Sequence, residues 1–365
     1  MEGCYSIKLE NMMTQLPPKA ERCVRCLMLF SAPGIVPDEN GLCALCRDYT
    51  PFEVKGEEAL RSELQYPEGK KREFECVVPI SGGLDSVYTA FYLTRILSLR
   101  CLGVHYDHGM GSESKPKMLA WIEKEVGMPI VVRDWPAKES KALVRDSIRA
   151  TLAYGAKSMQ AALCRQCGYG IRAAVFHEMV KHGLHSVWGK HNMDHIPFRY
   201  CREVKPSRYI FQRNGLSALR SLRGRYQQAR ALPSPGTSVL RLMLNPMGYP
   251  SLPKTHAHLK NISFYNYIPW NKQRMLDELQ ENGVDVQPLK SAHSDCRLPP
   301  VVDRVLQSAW TVGKKEIYIC NLVRDGQLTK EEGIQQIQEV REAVLDTGYL
   351  REIGLSEEEV AGMLR

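Results

Sequence analysis

The chain has 365 residues, 44% of them apolar and 25% charged, with a formal net charge of +8. That length predicts about two domains with a buried core, and the composition excludes a disordered or fibrous protein. No stretch reaches the roughly 20 apolar residues of a membrane helix, and Met1 to Gln15 lack the basic start and apolar centre of a signal peptide, so the expectation is a cytoplasmic chain with no membrane partner.

Residues 1–20 read as a loose arm ending in Pro17-Pro18, and residues 21–50 as a compact cysteine module. Cys23-x2-Cys26, 16 intervening residues and Cys43-x2-Cys46 have the spacing of a four-thiolate zinc ribbon. Each CxxC puts two sulfurs on one side of a tetrahedron, and a segment this short cannot build a core, so bound Zn²⁺ supplies its folding energy. A closed Cys4 site keeps no open position, so no catalysis is assigned to it. The other reading is a degenerate ribbon that has lost its metal. Residues 51–72 are charged and read as a linker with a short helix.

A main domain follows over 73–200. Strands are predicted at Glu75–Ile80, Arg100–Tyr106, Pro129–Arg133 and His185–Gly189, with helices at Ser86–Leu97, Lys117–Val126 and Ile171–His182. This alternation predicts an α/β fold, a parallel sheet with helices on both faces. Cys76 and Cys101 fall in apolar strands and read as core, as does Cys320.

Between the first strand and first helix lies Ser81-Gly82-Gly83-Leu84-Asp85-Ser86. Small residues let the backbone wrap an anion, and N–H groups at a helix start point at it, where the helix dipole favours negative charge. Ser81 and Ser86 add hydroxyls, and Asp85 can hold Mg²⁺. The competing reading is a plain Gly-Gly turn. His105, His108, His191 and His195 lie near predicted strand ends without metal-ligand spacing and read as ordinary polar residues.

Cys164-Arg165-Gln166-Cys167-Gly168 is a third CxxC, just ahead of the helix predicted at 171, and Cys201 and Cys296 stand alone in polar sequence. The pair can be a zinc knuckle, or a redox or persulfide pair with lowered pKa at a helix N-terminus. Between Arg199 and Arg230 there are nine Lys or Arg and one acid, Glu203. That density reads as a surface for an anionic acceptor, a nucleotide, a nucleotide-linked sugar or RNA, or else as a solvated loop. The region 199–260 is expected to be irregular, and 201–365 to form the basic segment and a C-terminal helical substrate region. There Asp325-Gly326 predicts a turn, and Thr329 with Glu332 a capping box opening a helix to about Leu345.

The 81–86 loop in this setting resembles the PP-loop ATP pyrophosphatases, the adenine nucleotide alpha hydrolase superfamily, whose fold is Rossmann-like. The resemblance implies ATP split between its α and β phosphates, a carbonyl oxygen adenylated, and AMP displaced by nitrogen or sulfur. It also implies that Gly103 to Asp107 lies against adenosine and that the turn Gly189-Lys190-His191-Asn192 closes over the nucleotide. Many members carry Lys where this chain has Leu84, and Lys190 or an Arg of the basic segment is the expected replacement. The two N-terminal CxxC pairs, Tyr267-Ile268-Pro269-Trp270-Asn271-Lys272 and Asp325 to Glu332 resemble N-acetyl sugar amidotransferases, which take ammonia from a separate glutaminase. The third CxxC departs from them and resembles iron–sulfur tRNA thiolases, which implies that Cys164, Cys167 and a third cysteine, Cys296 before Cys201, hold a [4Fe-4S] cluster. The function expected is thiolation of an adenylated acceptor such as tRNA by a sulfur donor. The alternatives are an amidotransferase acting on an N-acetyl sugar and a nonenzymatic RNA- or nucleotide-binding protein.

Overall fold

The structure, a computed structural model, describes residues 21–134, 165–190 and 254–364, apart from 33–34, 48, 52, 67–71 and 291–294, with 141, 144–145, 148–149 and 252 besides. The expectations for the arm 1–20, for Cys164, His191, Asn192, His195 and Cys201, and for the basic segment 199–230 fall outside the described residues.

Strands β1 (Cys76–Pro79), β2 (Cys101–Asp107), β3 (Ile130–Asp134), β4 (Ser186–Trp188) and β5 (Asn261–Ser263) form one parallel sheet in the order β3-β2-β1-β4-β5. All of β1 and all of β2 up to Tyr106 are buried, as central parallel strands covered on both faces must be. Side chains alternate across the sheet, and the core divides accordingly. Val77, Val104 and Tyr106 pack on Ala173, Phe176 and Met179 of helix α3 (Arg165–His182). Cys76, Val78 and Cys101 belong with Val87 and Phe91 of helix α1 (Leu84–Phe91) and with Met118 of helix α2 (Lys115–Trp121). Both α1 and α2 continue as a turn of wider π-helical winding, to Ile96 and Val126.

The chain lays down β1, β2 and β3 in one direction, then returns to place β4 on the other side of β1. The connections leaving β1 and β4 therefore part from one another between these two strands. Such a switch point opens a crevice at the carboxyl ends of the strands, where open α/β sheets bind ligands. The parallel sheet with its helices is compatible with the Rossmann-like architecture expected from the sequence.

The C-terminal part is helical: α4 (Lys272–Glu281), α5 (Pro299–Trp310), α6 (Lys314–Asp325), α7 (Lys330–Glu342), α8 (Thr347–Glu352) and α9 (Glu357–Leu364). Asn271 caps α4, its Oδ1 accepting the Arg274 N–H at 2.9 Å. Gly326, at φ 79°, closes α6 in the left-handed region that glycine alone enters freely. The capping box is formed: Glu332 N–H donates to Thr329 Oγ1 at 3.1 Å, and Thr329 N–H to Glu332 Oε2 at 2.8 Å. None of the described helices is long and apolar enough to cross a membrane.

Two local expectations differ from the structure. Helix α3 begins at Arg165, not Ile171, so Cys167 lies within its first turn. The glycines at 168 and 170 make that turn look like a loop in sequence. Gly170 is there for packing, since a Cβ at that position would sit 2.2 Å from Cζ of Tyr106. The second difference is β5, a strand that was not expected: it lies just beyond the region 199–260 read as irregular, and its three residues are too few to show an alternating pattern.

Candidate functional site

At the crevice between β1 and β4 lies a cavity of about 190 Å³, open to solvent, whose floor is the Ser81–Ser86 loop. Gly82 takes φ 92°, which excludes most side chains, and Gly83 is the N-cap of α1. The N–H groups of Ser81 and Gly82 both donate to Ser86 Oγ, at 3.1 and 3.2 Å. Ser81 Oγ is 3.1 Å from the same oxygen, and Ser86 Oγ donates to the Gly83 carbonyl at 3.0 Å. The loop is thus wound so that backbone donors converge on one oxygen at a helix start, a geometry suited to an anion.

Asp85 projects from the first turn of α1. Its Oδ1 accepts the indole N–H of Trp270 at 2.9 Å, and its backbone carbonyl accepts the Tyr265 hydroxyl at 3.2 Å and the Thr89 hydroxyl at 2.7 Å. Burial raises the Asp85 pKa, against the Trp270 hydrogen bond and the positive charge of Lys315, which pull it down. A Cβ on Gly189 would lie 2.6 Å from the Asp85 carbonyl oxygen, so only glycine lets the turn after β4 close on α1. Gly189 lines the cavity. Lys190 does not; its amine lies 5.3 Å from the Trp188 ring centroid. Asp107 is exposed at the end of β2, where its carboxylate accepts the Gly109 N–H at 2.9 Å.

The other cavity wall comes from residues remote in sequence: Trp270, Lys272, Asp295, Lys315, Tyr318 and Glu339. Asp295 stands over the loop, its Cγ 3.2 Å from where a Gly83 Cβ would be. Asp303 of α5 fixes the start of α6, accepting the Lys315 N–H at 2.9 Å, and burial pushes its pKa up to about 6. Of these residues, sequence reasoning singled out Trp270 and Lys272 only as part of a resemblance and missed Lys315 and Asp295.

The segment 295–297 runs antiparallel to the turn after β2. Cys296 pairs with Gly111, Arg297 N–H donates to the Met110 carbonyl at 3.1 Å, and Ser112 N–H to the Asp295 carbonyl at 3.4 Å. Cys296 thereby comes to the carboxyl edge of the sheet. Cys167 is brought to the same edge, because its helix turn rests on Tyr106. Beside them lies Tyr349 of α8, its ring centroid 4.3 Å from the guanidinium carbon of Arg297, the residue after Cys296. Burial raises the Tyr349 pKa, and Cys296 and Cys167 raise it further, against Arg297. The Tyr349 hydroxyl is buried and has no hydrogen-bond partner among the described residues. Cys164 lies outside those residues, so the described part of the expected trio is the pair Cys167 and Cys296.

A separate centre is formed by Cys23, Cys26, Cys43 and Cys46. All four are buried, and their sulfurs lie within 4.8 Å of one another. Cys23 and Cys46 are 3.6 Å apart and Cys26 and Cys43 3.7 Å, close to the edge of about 3.8 Å of a tetrahedron with zinc–sulfur bonds of about 2.3 Å. Among the described residues this is the one cluster of three or more His, Cys or acids placed to hold a metal ion between them. Arg324 of α6 donates to two of the sulfurs, Nη2 to Cys26 at 3.3 Å and Nε to Cys46 at 3.4 Å. A buried guanidinium offsets the excess negative charge that four thiolates carry around a divalent ion.

The module is held on α6 by more than Arg324. Glu316, fully buried, receives Arg22 at 3.0 Å and Arg341 of α7 at 3.0 Å. Tyr49 bonds Asp325, and Arg25 Nη2 donates to the Arg324 carbonyl at 3.3 Å. Helix α6 therefore faces the cysteine centre with Glu316 and Arg324, and the cavity with Lys315, Tyr318 and Leu322.

The described histidines stand apart from this chemistry. His105 Nδ1 lies 2.7 Å from the Ile80 carbonyl and so steadies the entry to the loop. Burial lowers its pKa, and lowers those of His108 and His185 to about 4, with Lys115 and Lys260 respectively adding to the effect. Compared with protein-family models and with curated proteins, the chain matches none.

Proposed function

We propose that the chain is an ATP-dependent adenylating transferase of the PP-loop kind that replaces an activated oxygen with sulfur. The Ser81–Ser86 loop would receive the β and γ phosphates, leaving the α phosphorus open to attack by a carbonyl or amide oxygen of the acceptor. That attack forms the adenylate and releases pyrophosphate; a sulfur nucleophile then displaces AMP. Asp85, with one carboxylate oxygen held by Trp270, keeps the other for Mg²⁺. The observation that favours sulfur is one of adjacency. Asp295 stands over the phosphate loop, the next residue is Cys296, and Cys167 lies in the first turn of α3 at the same edge of the sheet.

A [4Fe-4S] cluster held by three protein thiols would need Cys164 or Cys201 besides this pair. The four N-terminal cysteines fit Zn²⁺ by sulfur spacing and by the charge of Arg324, and we read that site as structural.

A second reading is an amidotransferase with the same activation step and ammonia from a partner glutaminase. It is favoured by Trp270 and Lys272, which belong to the segment resembling the N-acetyl sugar enzymes and line the cavity. One assay separates the two. The protein, purified without oxygen, is given ATP, Mg²⁺ and either bulk tRNA or a nucleotide-linked N-acetyl sugar, with labelled sulfide or labelled ammonia. AMP and pyrophosphate with label from sulfide, lost in Cys167→Ser and Cys296→Ser, is the expected result. Label from ammonia, kept in both variants, establishes the amidotransferase. Release of ADP and phosphate without AMP overturns both.

A further inference from the structure

The loop after β1 offers hydroxyls and amides but no cation, because position 84 is Leu84. Lys190, the nearest basic residue in the turn after β4, is directed at Trp188. Cations do line the cavity, on the opposite wall. Lys272 is the first residue of α4 and Lys315 the second of α6, and both helices begin at the cavity.

Both lysines are half-buried and both are positioned. The Lys272 amine donates to the Lys290 carbonyl at 3.0 Å, and the Lys315 amine lies 4.7 Å from the Tyr318 ring centroid. Burial lowers the Lys272 pKa, and the like charge of Lys315 lowers it further. Two ammonium groups sharing a partly desolvated cavity repel each other unless an anion comes between them.

The acids in the same cavity lie on both walls. Asp85 and Asp295 lie at the loop, Asp85 already engaged by Trp270. Glu339 of α7, and Asp85 from across the cavity, act on Lys272 and partly offset its charge. With a divalent cation on the loop side, the opposite wall is left with the two lysines to meet the remaining negative charge of a polyphosphate.

Resting on the ATP reading above, we propose that Lys272 and Lys315 form a two-cation clamp for the pyrophosphate end of the nucleotide. They supply from the C-terminal helices the charge that the loop itself lacks. The class of ligand is a pyrophosphate group, free or as the β and γ phosphates of a nucleoside triphosphate. A nucleoside monophosphate lacks those groups and should not depend on the clamp.

The test is calorimetric titration of the intact chain with pyrophosphate, ATP and AMP in the presence of Mg²⁺. Lys272→Met and Lys315→Met, which keep the aliphatic stems, are expected to weaken pyrophosphate and ATP about tenfold or more each while leaving AMP unchanged. Lys272→Arg and Lys315→Arg are expected to restore most of that affinity. If wild-type protein binds ATP and pyrophosphate and both Met variants bind them equally well, the clamp is wrong and the ATP reading stands. If wild-type protein binds neither ligand, the ATP reading fails and the clamp with it. Should a Met variant fail to fold, its Arg counterpart decides: retained affinity supports the clamp, and a loss of tenfold or more at both positions overturns it.

Discussion

Trp270 donates its indole N–H to Oδ1 of Asp85 at 2.9 Å, tying the segment before α4 to the first turn of α1. The bond opposes the upward push that burial gives the Asp85 pKa. Trp270→Phe keeps most of the ring and leaves that carboxylate oxygen without its donor. The expected loss is about 1–3 kcal/mol, read from urea unfolding at neutral pH. A variant as stable as wild type would show that the bond contributes nothing.

Glu316 is the acid between two arginines, Arg22 of the cysteine module and Arg341 of α7. Glu316→Gln leaves both guanidiniums without their counter-charge, Arg22 almost wholly buried. Breaking a buried pair on one side costs about 3–5 kcal/mol. Chemical denaturation should show that loss, and exchange of the module's backbone amides should speed up with it.

Cys43→Ser removes one ligand of the tetrahedral set. The variant is expected to purify with substoichiometric zinc and to melt about 5–10 °C lower, as metal analysis and thermal scans would show. Wild-type protein that is folded but free of zinc would rule out the assignment.

Acid should destabilise the fold through His108 and His185. Both pKa values fall to about 4 on folding from an ordinary value of 6.5. The unfolded chain therefore takes up these protons first as the pH drops, and stability is lost between pH 6.5 and 4, not above. Each ring contributes up to about 3 kcal/mol to that loss. His185→Asn should flatten the dependence in unfolding measured at pH 7 and pH 4.5, with little change in slope above pH 7.

How much of this could be read in the sequence depended on contiguity. The Ser81–Ser86 loop was visible because all its donors lie in one run between a strand and a helix. The cysteine module was visible because four ligands recur at fixed spacing. Lys315 was not, because its place in the cavity is set by the start of α6 and by Asp303, and nothing next to it in sequence marks a ligand. Trp270 and Lys272 stood out only as part of a resemblance, not for the contacts they make. The C-terminal region read as helical, but of its helices only α7 was placed, from Thr329 and Glu332; the caps Asn271 of α4 and Asp346 of α8 sit in sequence that offers no second signal beside them. The start of α3 was misplaced because Gly170 serves Tyr106 rather than a turn.

The docking of the cysteine module on α6 also has a consequence for how the chain is made. Cys23 to Cys46 are synthesised early and can take a metal as soon as they emerge. Arg22 must then wait for Glu316, and the sulfurs of Cys26 and Cys46 for Arg324, which follows Cys46 by 278 residues. Domains that fold as they emerge complete their contacts locally, but this module closes on a helix made much later. An interrupted or shortened chain would therefore carry a module whose buried side has nothing to rest on.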